Sequence, residues 1–292
     1  METQEVLNEA IAWTKNSAID AEDRKEIQDL IDNQNHEELT ERFYKDLEFG
    51  TGGIRAILGN GKNRINKYTI RKATQAVING IKEVPKSTYK LAISFDSRKY
   101  SKEFAKEVAC VCAANNVHAF IYERLNPVAL LSFAVRELEC DAGVMVTASH
   151  NPPKYNGFKV FWSDGAQVTP PNDRVVIGHF NNLKQLENIP YVSFDQGVEK
   201  GLISILKEDM EDKYFSAIQS KMVSPNVAKE KGNDLKIVYT PIHGTGLIPC
   251  TEALQRSGFK NILVPKEQAE PDHRFPTVKS PNPENPEALE LA

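Results

Sequence analysis

Over roughly the first 81 residues, apolar side chains recur at helical spacing. Val6, Leu7, Ala10, Ile11 and Trp13 line one side of a first helix that packs on the body. Ile27, Leu30 and Ile31 mark a second, with Asp20 as N-cap and an acidic first turn, and Leu39, Phe43 and Leu47 mark a third. The stretch EFGTGGIRAILGNGKNRIN, rich in glycine and arginine, is not expected to be regular throughout. Beyond it, Ile70, Thr74, Val77, Ile78 and Ile81 resume the helical period.

From there the pattern alternates. KLAISFD reads as a strand, SKEFAKEVACVCAANN as a helix capped by Ser101, HAFIY as a strand, a helix starts on Pro127 at N1, and AGVMV is a buried strand. Helical crossovers make these strands parallel neighbours. FKVFW and AQV form a hairpin turning at Asp164-Gly165, so the sheet is mixed. PNDRVVIGHFNNLKQLENI is a helix, and the polar stretch from Tyr191 to Gly201 reads as a linker. A helix over KEDMEDKYFSAIQSKM follows, and then LKIVYT, PIHGTG, LIPCTEALQRSG and KNILVP make a second βαβ unit. Asn285 and Pro286 open a last helix as N-cap and N1. The fold class is therefore α/β, with mixed, mostly parallel sheets flanked by helices, in two domains over 1–204 and 205–292.

Composition narrows the function. A length of 292 residues, 40% hydrophobic and 26% charged, suits two cores of ordinary soluble type. The net charge of −4 argues against a nucleic-acid partner but leaves room for small anions bound by local basic clusters. No apolar run is long enough for a membrane span, and the acidic N-terminus lacks a signal core, so a cytoplasmic location is expected. Cys110, Cys112, Cys140 and Cys250 fit neither a zinc site nor a disulfide frame and are read as reduced, mostly buried thiols.

The chemistry concentrates in VTASHNPPKYNGFKV. Ser149 follows a buried strand and so lies at the carboxyl edge of the sheet, where open α/β folds place ligands. Asn151-Pro152-Pro153 bars an immediate helix, and no Gly-x-Ser-x-Gly elbow is present, which disfavours a serine hydrolase. In an extended loop Ser149 and His150 point apart, so no dyad is expected between them. An Asn156-Gly157 turn would bring Lys159 back toward the serine. A hydroxyl, an imidazole and an ammonium on one stiff loop suit phosphate better than an acyl group. Gly50-Thr51-Gly52-Gly53-Ile54-Arg55 offers backbone N–H groups and a guanidinium to an anion. Arg98, just past a strand, either lines the same edge or pairs with Asp96. His243 in PIHGTG either holds an anion at a helix N-terminus or is structural. No Asp-x-Asp-x-Asp occurs, and the six histidines fall at no ligand spacing.

TASHNPPKYNGFK resembles the phosphoserine loop of the α-D-phosphohexomutase superfamily, the phosphoglucomutases and phosphomannomutases. EFGTGGIRAILGNGKNRINKYTIRKAT, TPIHGTG and SPNPENPEAL resemble its long phosphoglucomutase/phosphopentomutase branch, in the same order. The resemblance implies a four-domain isomerase, an intramolecular phosphotransferase. It interconverts hexose 1-phosphate and hexose 6-phosphate through a phosphoserine and a sugar bisphosphate, with glucose foremost and mannose or pentose left open. By position it implies Ser149 as the phosphoryl carrier, with Lys159 in proton transfer and His150 beside it as catalytic residues. Arg55, Thr51, Gly53 and Arg98 would bind substrate or phosphate.

The cofactors implied are Mg²⁺, held by Ser149 through its phosphate and by three aspartates, and a sugar bisphosphate activator of the glucose 1,6-bisphosphate type. The partner is a phosphorylated sugar. A serine phosphate beside Lys159 should raise that ammonium's pKa and favour an acid or charge-clamp role. The aspartate loop is absent from this sequence. The chain is therefore expected to be the first domain and most of the second, working with C-terminal domains of the same polypeptide. Alone it is expected to be inactive and to bind Mg²⁺ poorly. The alternative is a non-catalytic phosphosugar-binding relative.

Overall fold

The computed structural model describes residues 3–292. Three helices come first: α1 (Thr3–Lys15), α2 (Ala21–Asp32) and α3 (His36–Phe43). Their apolar stripes meet in a small cluster of Val6, Ala10, Trp13, Ile27, Leu39 and Phe43 closed by Tyr68. Trp13 stands edge-on to Phe43 and Tyr68, with ring centroids 5.9 and 5.6 Å apart. Strand β1 (Gly53–Ile57) lies within the glycine-rich stretch, and α4 (Lys67–Ile81) follows. A capping box starts α4: the Asn66 side chain accepts from the Thr69 amide, and the Thr69 hydroxyl from the Asn66 amide.

The alternating part supplies β2 (Tyr89–Phe95), α5 (Ser101–Ala114), β3 (Val117–Tyr122), α6 (Val128–Glu137), β4 (Ala142–Val146), β5 (Tyr155–Trp162) and α7 (Asn172–Asn182). The Tyr191–Gly201 stretch is not a plain linker. Ser193 caps a short helix α8 (Phe194–Glu199), and β6 (Ile203–Leu206) then joins the sheet edge beside β3. That strand is only four residues long and interrupted by Ser204, too short for its period to stand out. The first sheet thus closes at Leu206, in the order β1-β5-β4-β2-β3-β6, and only β5 runs against the rest. Helices α4, α5, α7 and α8 cover one face, while α6 and the next helix, α9 (Glu208–Ser220), cover the other. Buried on both sides, β4 is apolar throughout.

The second unit adds α10 (Pro225–Lys231), β7 (Ile237–Val238), α11 (Leu247–Arg256), β8 (Ile262–Leu263) and α12 (Lys266–Ala269). Strands β7 and β8 pair in parallel, the expected βαβ unit at its minimum. Pro286–Leu289 forms a single 3₁₀ turn, and Asn285 makes no side-chain cap. All four thiols are free; Cys110, Cys112 and Cys140 are buried and Cys250 is half-buried. Among the described residues no helix is long and apolar enough to cross a membrane.

Strand order places the site. The chain passes from β2 to β3 on one side and returns through α6 to β4 on the other. The carboxyl ends of β2 and β4 therefore flank the crevice where the winding reverses, and the Asp96–Arg98 and Thr147–Ser149 segments leave the sheet there.

Candidate functional site

Ser149 lies three residues past β4 in the left-handed region, at φ 57°. That conformation is uncommon for a side chain larger than hydrogen and needs support from its surroundings. The support is local: the Ser149 amide donates to Thr147 Oγ1 at 2.9 Å, and Thr147 donates in turn to the Asp96 carboxylate through a short hydrogen bond. Because the backbone turns here instead of extending, Ser149 Oγ and His150 Nδ1 come within 3.4 Å. The expectation that the two side chains point apart is corrected on that ground. The contact is long for a hydrogen bond, and both groups are exposed.

Asn156-Gly157 is not a turn. Both residues lie in β5, and the chain reverses earlier, where the Tyr155 amide donates to the Pro152 carbonyl at 3.1 Å. Gly157 is needed for packing: a Cβ there would stand 2.4 Å from the Thr147 carbonyl oxygen and 2.6 Å from that of Ile54. Asn156 is fully buried and donates to the Lys99 carbonyl and Ser101 Oγ, both at 3.0 Å. Ser101 does not cap α5; that position belongs to Tyr100, and the Ser101 hydroxyl donates to Asp96 at 2.7 Å.

Lys159 is brought to the site by register instead of by a turn. Arg55 faces Gly157, and Lys159 faces Met145, so Arg55, Lys159 and Thr147 share one face of the sheet. Burial holds the Lys159 ammonium below its usual range, helped by the Arg55 charge and opposed by Asp96. Arg55 donates to Asn151 Oδ1 at 2.9 Å and so reaches the serine loop.

Gly53 lies beside Lys159 on the sheet, and among the described residues neither it nor Thr51 is hydrogen-bonded to the serine loop. The Gly53 amide donates to Gly50 in a tight turn, 3.0 Å, and is not free for an anion. Gly53 has φ 125°, and a Cβ there would lie 1.9 Å from the Phe158 carbonyl oxygen, so close strand contact demands glycine. It faces Lys159 directly across the sheet, at the end of the site away from Tyr155, about 13 Å along the strand. Thr51 sits on the exposed tip of that turn, and among the described residues no hydrogen bond ties it to the serine loop.

Arg98 lies at the sheet edge and pairs with Asp96, its amide donating to Asp96 Oδ1 at 2.9 Å, but the guanidinium is buried and faces the backbone of the serine loop. Its Nη1 donates to the carbonyls of Pro152 and Tyr155, both at 3.0 Å, and its Nη2 to those of Ser149 and Asn151, at 2.7 and 2.6 Å. Nε lies 3.4 Å from Asp96 Oδ2 without a well-formed hydrogen bond. The side chain is fully buried, so it neither forms a surface pair nor stands free to bind phosphate. Burial pushes the Asp96 carboxyl upward, against hydrogen bonds from Thr147, Arg98 and Ser101 and the Arg98 charge. Thr147 gave no signal in the sequence, and Asn151 and Asn156 signalled only loop and turn, not these contacts; an amide or hydroxyl beside a reactive residue has no periodicity to betray it.

The second unit touches this site. Phe275 covers the Arg98 guanidinium at 5.3 Å, and Ser280 Oγ donates to the His150 carbonyl at 3.2 Å. His243 is structural. It is buried, with Nδ1 3.0 Å from the Glu270 carbonyl and Nε2 2.9 Å from Thr277 Oγ1, so both nitrogens are committed.

Mg²⁺ requires several hard oxygen donors in near-octahedral array. Among the described residues no cluster of His, Cys, Asp or Glu side chains could hold a metal. Asp96, the carboxylate beneath the serine loop, is buried and already engaged. The residues present do not fit a complete Mg²⁺ site, and Ser149 is the one ligand position the sequence reading offers.

A family model described as phosphoglucomutase/phosphomannomutase, alpha/beta/alpha domain I, matches residues 46–187, and the corresponding domain II model matches residues 212–292. A phosphoglucomutase of Staphylococcus saprophyticus is 34% identical over 265 residues, covering 91% of this chain and 47% of that protein. A probable phosphoribomutase of Schizosaccharomyces pombe is 34% identical, covering 99% and 49%. A human phosphopentomutase is 33% identical, covering 94% and 45%. The chain thus spans about half the length of the curated relatives it matches. A solved structure, a putative phosphomannomutase from Thermus thermophilus, superposes with a TM-score of 0.69 at 21% identity, over 85% of this chain and 51% of its own, a likeness of fold.

Proposed function

This chain belongs to the phosphoglucomutase/phosphomannomutase family, and from that premise we propose that it carries the phosphoryl-accepting half of a phosphosugar mutase. The relatives bear the names phosphoglucomutase, phosphopentomutase and phosphoribomutase, so the substrate class is a sugar monophosphate and the reaction an intramolecular phosphoryl transfer. A hexose substrate with a 1,6-bisphosphate intermediate is the specific form we favour. The observation that carries the reading is Ser149, held in a left-handed turn at the crevice with Arg55 and Lys159 on the adjoining sheet face.

In this reading the Ser149 oxygen attacks one phosphorus of a sugar bisphosphate. The O–P bond to serine forms as the bond to the sugar oxygen breaks, and the hydroxyl proton passes out through His150 or water. Arg55 balances charge on the transferring group. Lys159 protonates the departing sugar oxygen: burial favours release of its proton, and an arriving phosphate favours its retention. A Mg²⁺ ion there would supply further charge neutralisation at the phosphoserine and would need ligands other than the described side chains.

The test is phosphoryl uptake. The chain is incubated with glucose 1,6-bisphosphate and Mg²⁺, digested, and its peptides weighed. We expect a phosphoryl increment on the Ser149 peptide that is lost in Ser149→Ala, and no net mutase turnover by the 292-residue chain. Undiminished phosphoryl uptake by Ser149→Ala would overturn the mechanism. Bisphosphate binding without uptake would favour the non-catalytic binding reading, which the lack of a carboxylate cluster among the described residues keeps open.

A further inference from the structure

We infer that Arg98 is the positioning residue of the serine loop, a buried cation that sets the orientation of Ser149 and does not itself meet the phosphate. The catalytic consequence rests on the mutase reading above; the structural claim does not. The loop has little order of its own. Pro152 and Pro153 lack amide donors, and its internal backbone–backbone hydrogen bonds are the Asn151 amide to Ala148 at 3.2 Å and the Tyr155 amide to Pro152 at 3.1 Å. Its inward carbonyls, those of Ser149, Asn151, Pro152 and Tyr155, all converge on one guanidinium.

A planar fork with several fixed donors can bridge four such oxygens, whereas a point ammonium cannot. Water has no access to replace it: the Arg98 side chain has zero exposure, and the Phe275 ring covers it. Ser149 is then held from both sides. Its carbonyl is bound by Arg98, and its amide by Thr147, and both Arg98 and Thr147 lead back to Asp96. The circuit Asp96–Thr147–Ser149–Arg98 closes on itself. It offsets the cost of the left-handed turn, which would otherwise relax and carry the hydroxyl with it.

The experiment compares the wild-type chain with Arg98→Lys and Thr147→Val by amide hydrogen exchange and by the rate of phosphoryl uptake from glucose 1,6-bisphosphate. Arg98→Lys keeps the charge beside Asp96 and removes the fork. Exchange at Ser149, Asn151 and Tyr155 should accelerate on the order of tenfold or more, with exchange in α1–α3 unchanged. The maximal uptake rate should fall on the order of a hundredfold, with the half-saturating bisphosphate concentration unchanged.

A folded Arg98→Lys with wild-type loop exchange overturns the inference, and so does a loss confined to the half-saturating concentration, which would make Arg98 a binding group. If the wild-type chain accepts no phosphoryl group, the mutase reading fails, and accelerated exchange confined to the loop still upholds the positioning role. Should Arg98→Lys not fold, Thr147→Val decides alone: it opens the same circuit at its hydroxyl, and unchanged exchange at Ser149 and Asn151 refutes the proposal.

Discussion

The two α/β units of this chain follow one strand–helix–strand plan and differ in what orders them. In the first, inner strands β2 and β4 place Leu91, Ala92, Ile93, Ala142, Val144 and Val146 out of all contact with water. The three apolar clusters have no buried member beyond Met210. In the second, the paired residues Val238 and Leu263 remain 49% and 54% exposed on a two-stranded sheet. A parallel pair that short buries too little to be stable by apolar contact. A few buried apolar side chains, Ile242, Phe275 and Ala288, are joined there by polar contacts centred on His243 and Gln268, which together engage Glu270, Thr240, Thr277 and Ala288. The reactive serine therefore stands on the unit with the thick core, and the other unit contributes covering contacts, Phe275 and Ser280. A hydroxyl that must be held in one place is best mounted on elements whose neighbours cannot move.

That contrast can be broken in several ways. Phe158→Ala empties a fully buried site behind β5 and should cost about 3–5 kcal/mol, seen as a large drop in the melting temperature of the whole first unit. A drop no larger than one from the second unit would end the comparison. His243→Ala strands the Glu270 carbonyl and Thr277 hydroxyl and should cost about 1–3 kcal/mol. Hydrogen exchange should quicken between residues 240 and 277 and stay unchanged in β2 and β4.

Acid should act on the N-terminal helices before the first sheet. Burial raises the Asp23 carboxyl, but hydrogen bonds from Lys67, Tyr68 and Asn60 outweigh it and leave the group below its ordinary 3.8. A lowered carboxyl contributes stability above its unfolded value and loses it as pH falls through the folded one. Thermal stability should begin to decline as pH falls below about 5 and go on declining below 3.8, and Asp23→Asn should flatten that decline. Last, Leu263→Ser should change stability by no more than about 0.5 kcal/mol by denaturant titration, because the side chain it removes is already half in water.

How much could be read in advance differs by residue. Ile70, Val77, Ile78 and Ile81 announced α4, and AGVMV announced a strand buried on both faces, because each pattern carries the period of its own element. Ser149 was legible as a sheet-edge group for the same reason. The β6 segment was not, being an edge strand whose polar Ser204 breaks the apolar run. Nor was the true position of the reversal. Asn-Gly is a turn signal in isolation, yet here Asn156 and Gly157 lie inside β5, since close packing against Thr147 and Ile54 admits nothing larger than glycine.

Local pattern alone determined the α/β class, the run of helices before the sheet, the stiff serine loop and the family it resembles. Each of these depends on residues within a few positions of one another. Tertiary structure decided which groups meet. Arg55 and Lys159 stand 104 positions apart in the chain and share a sheet face through β1–β5 register, and Arg98 reaches across more than fifty positions to gather the loop carbonyls. Such encounters depend on strand order and on the desolvation of charges inside the fold, and neither leaves a periodic trace along the chain. The role of Arg98 changed for that reason: in sequence it was a basic residue at a ligand edge, and in space every one of its donors faces inward.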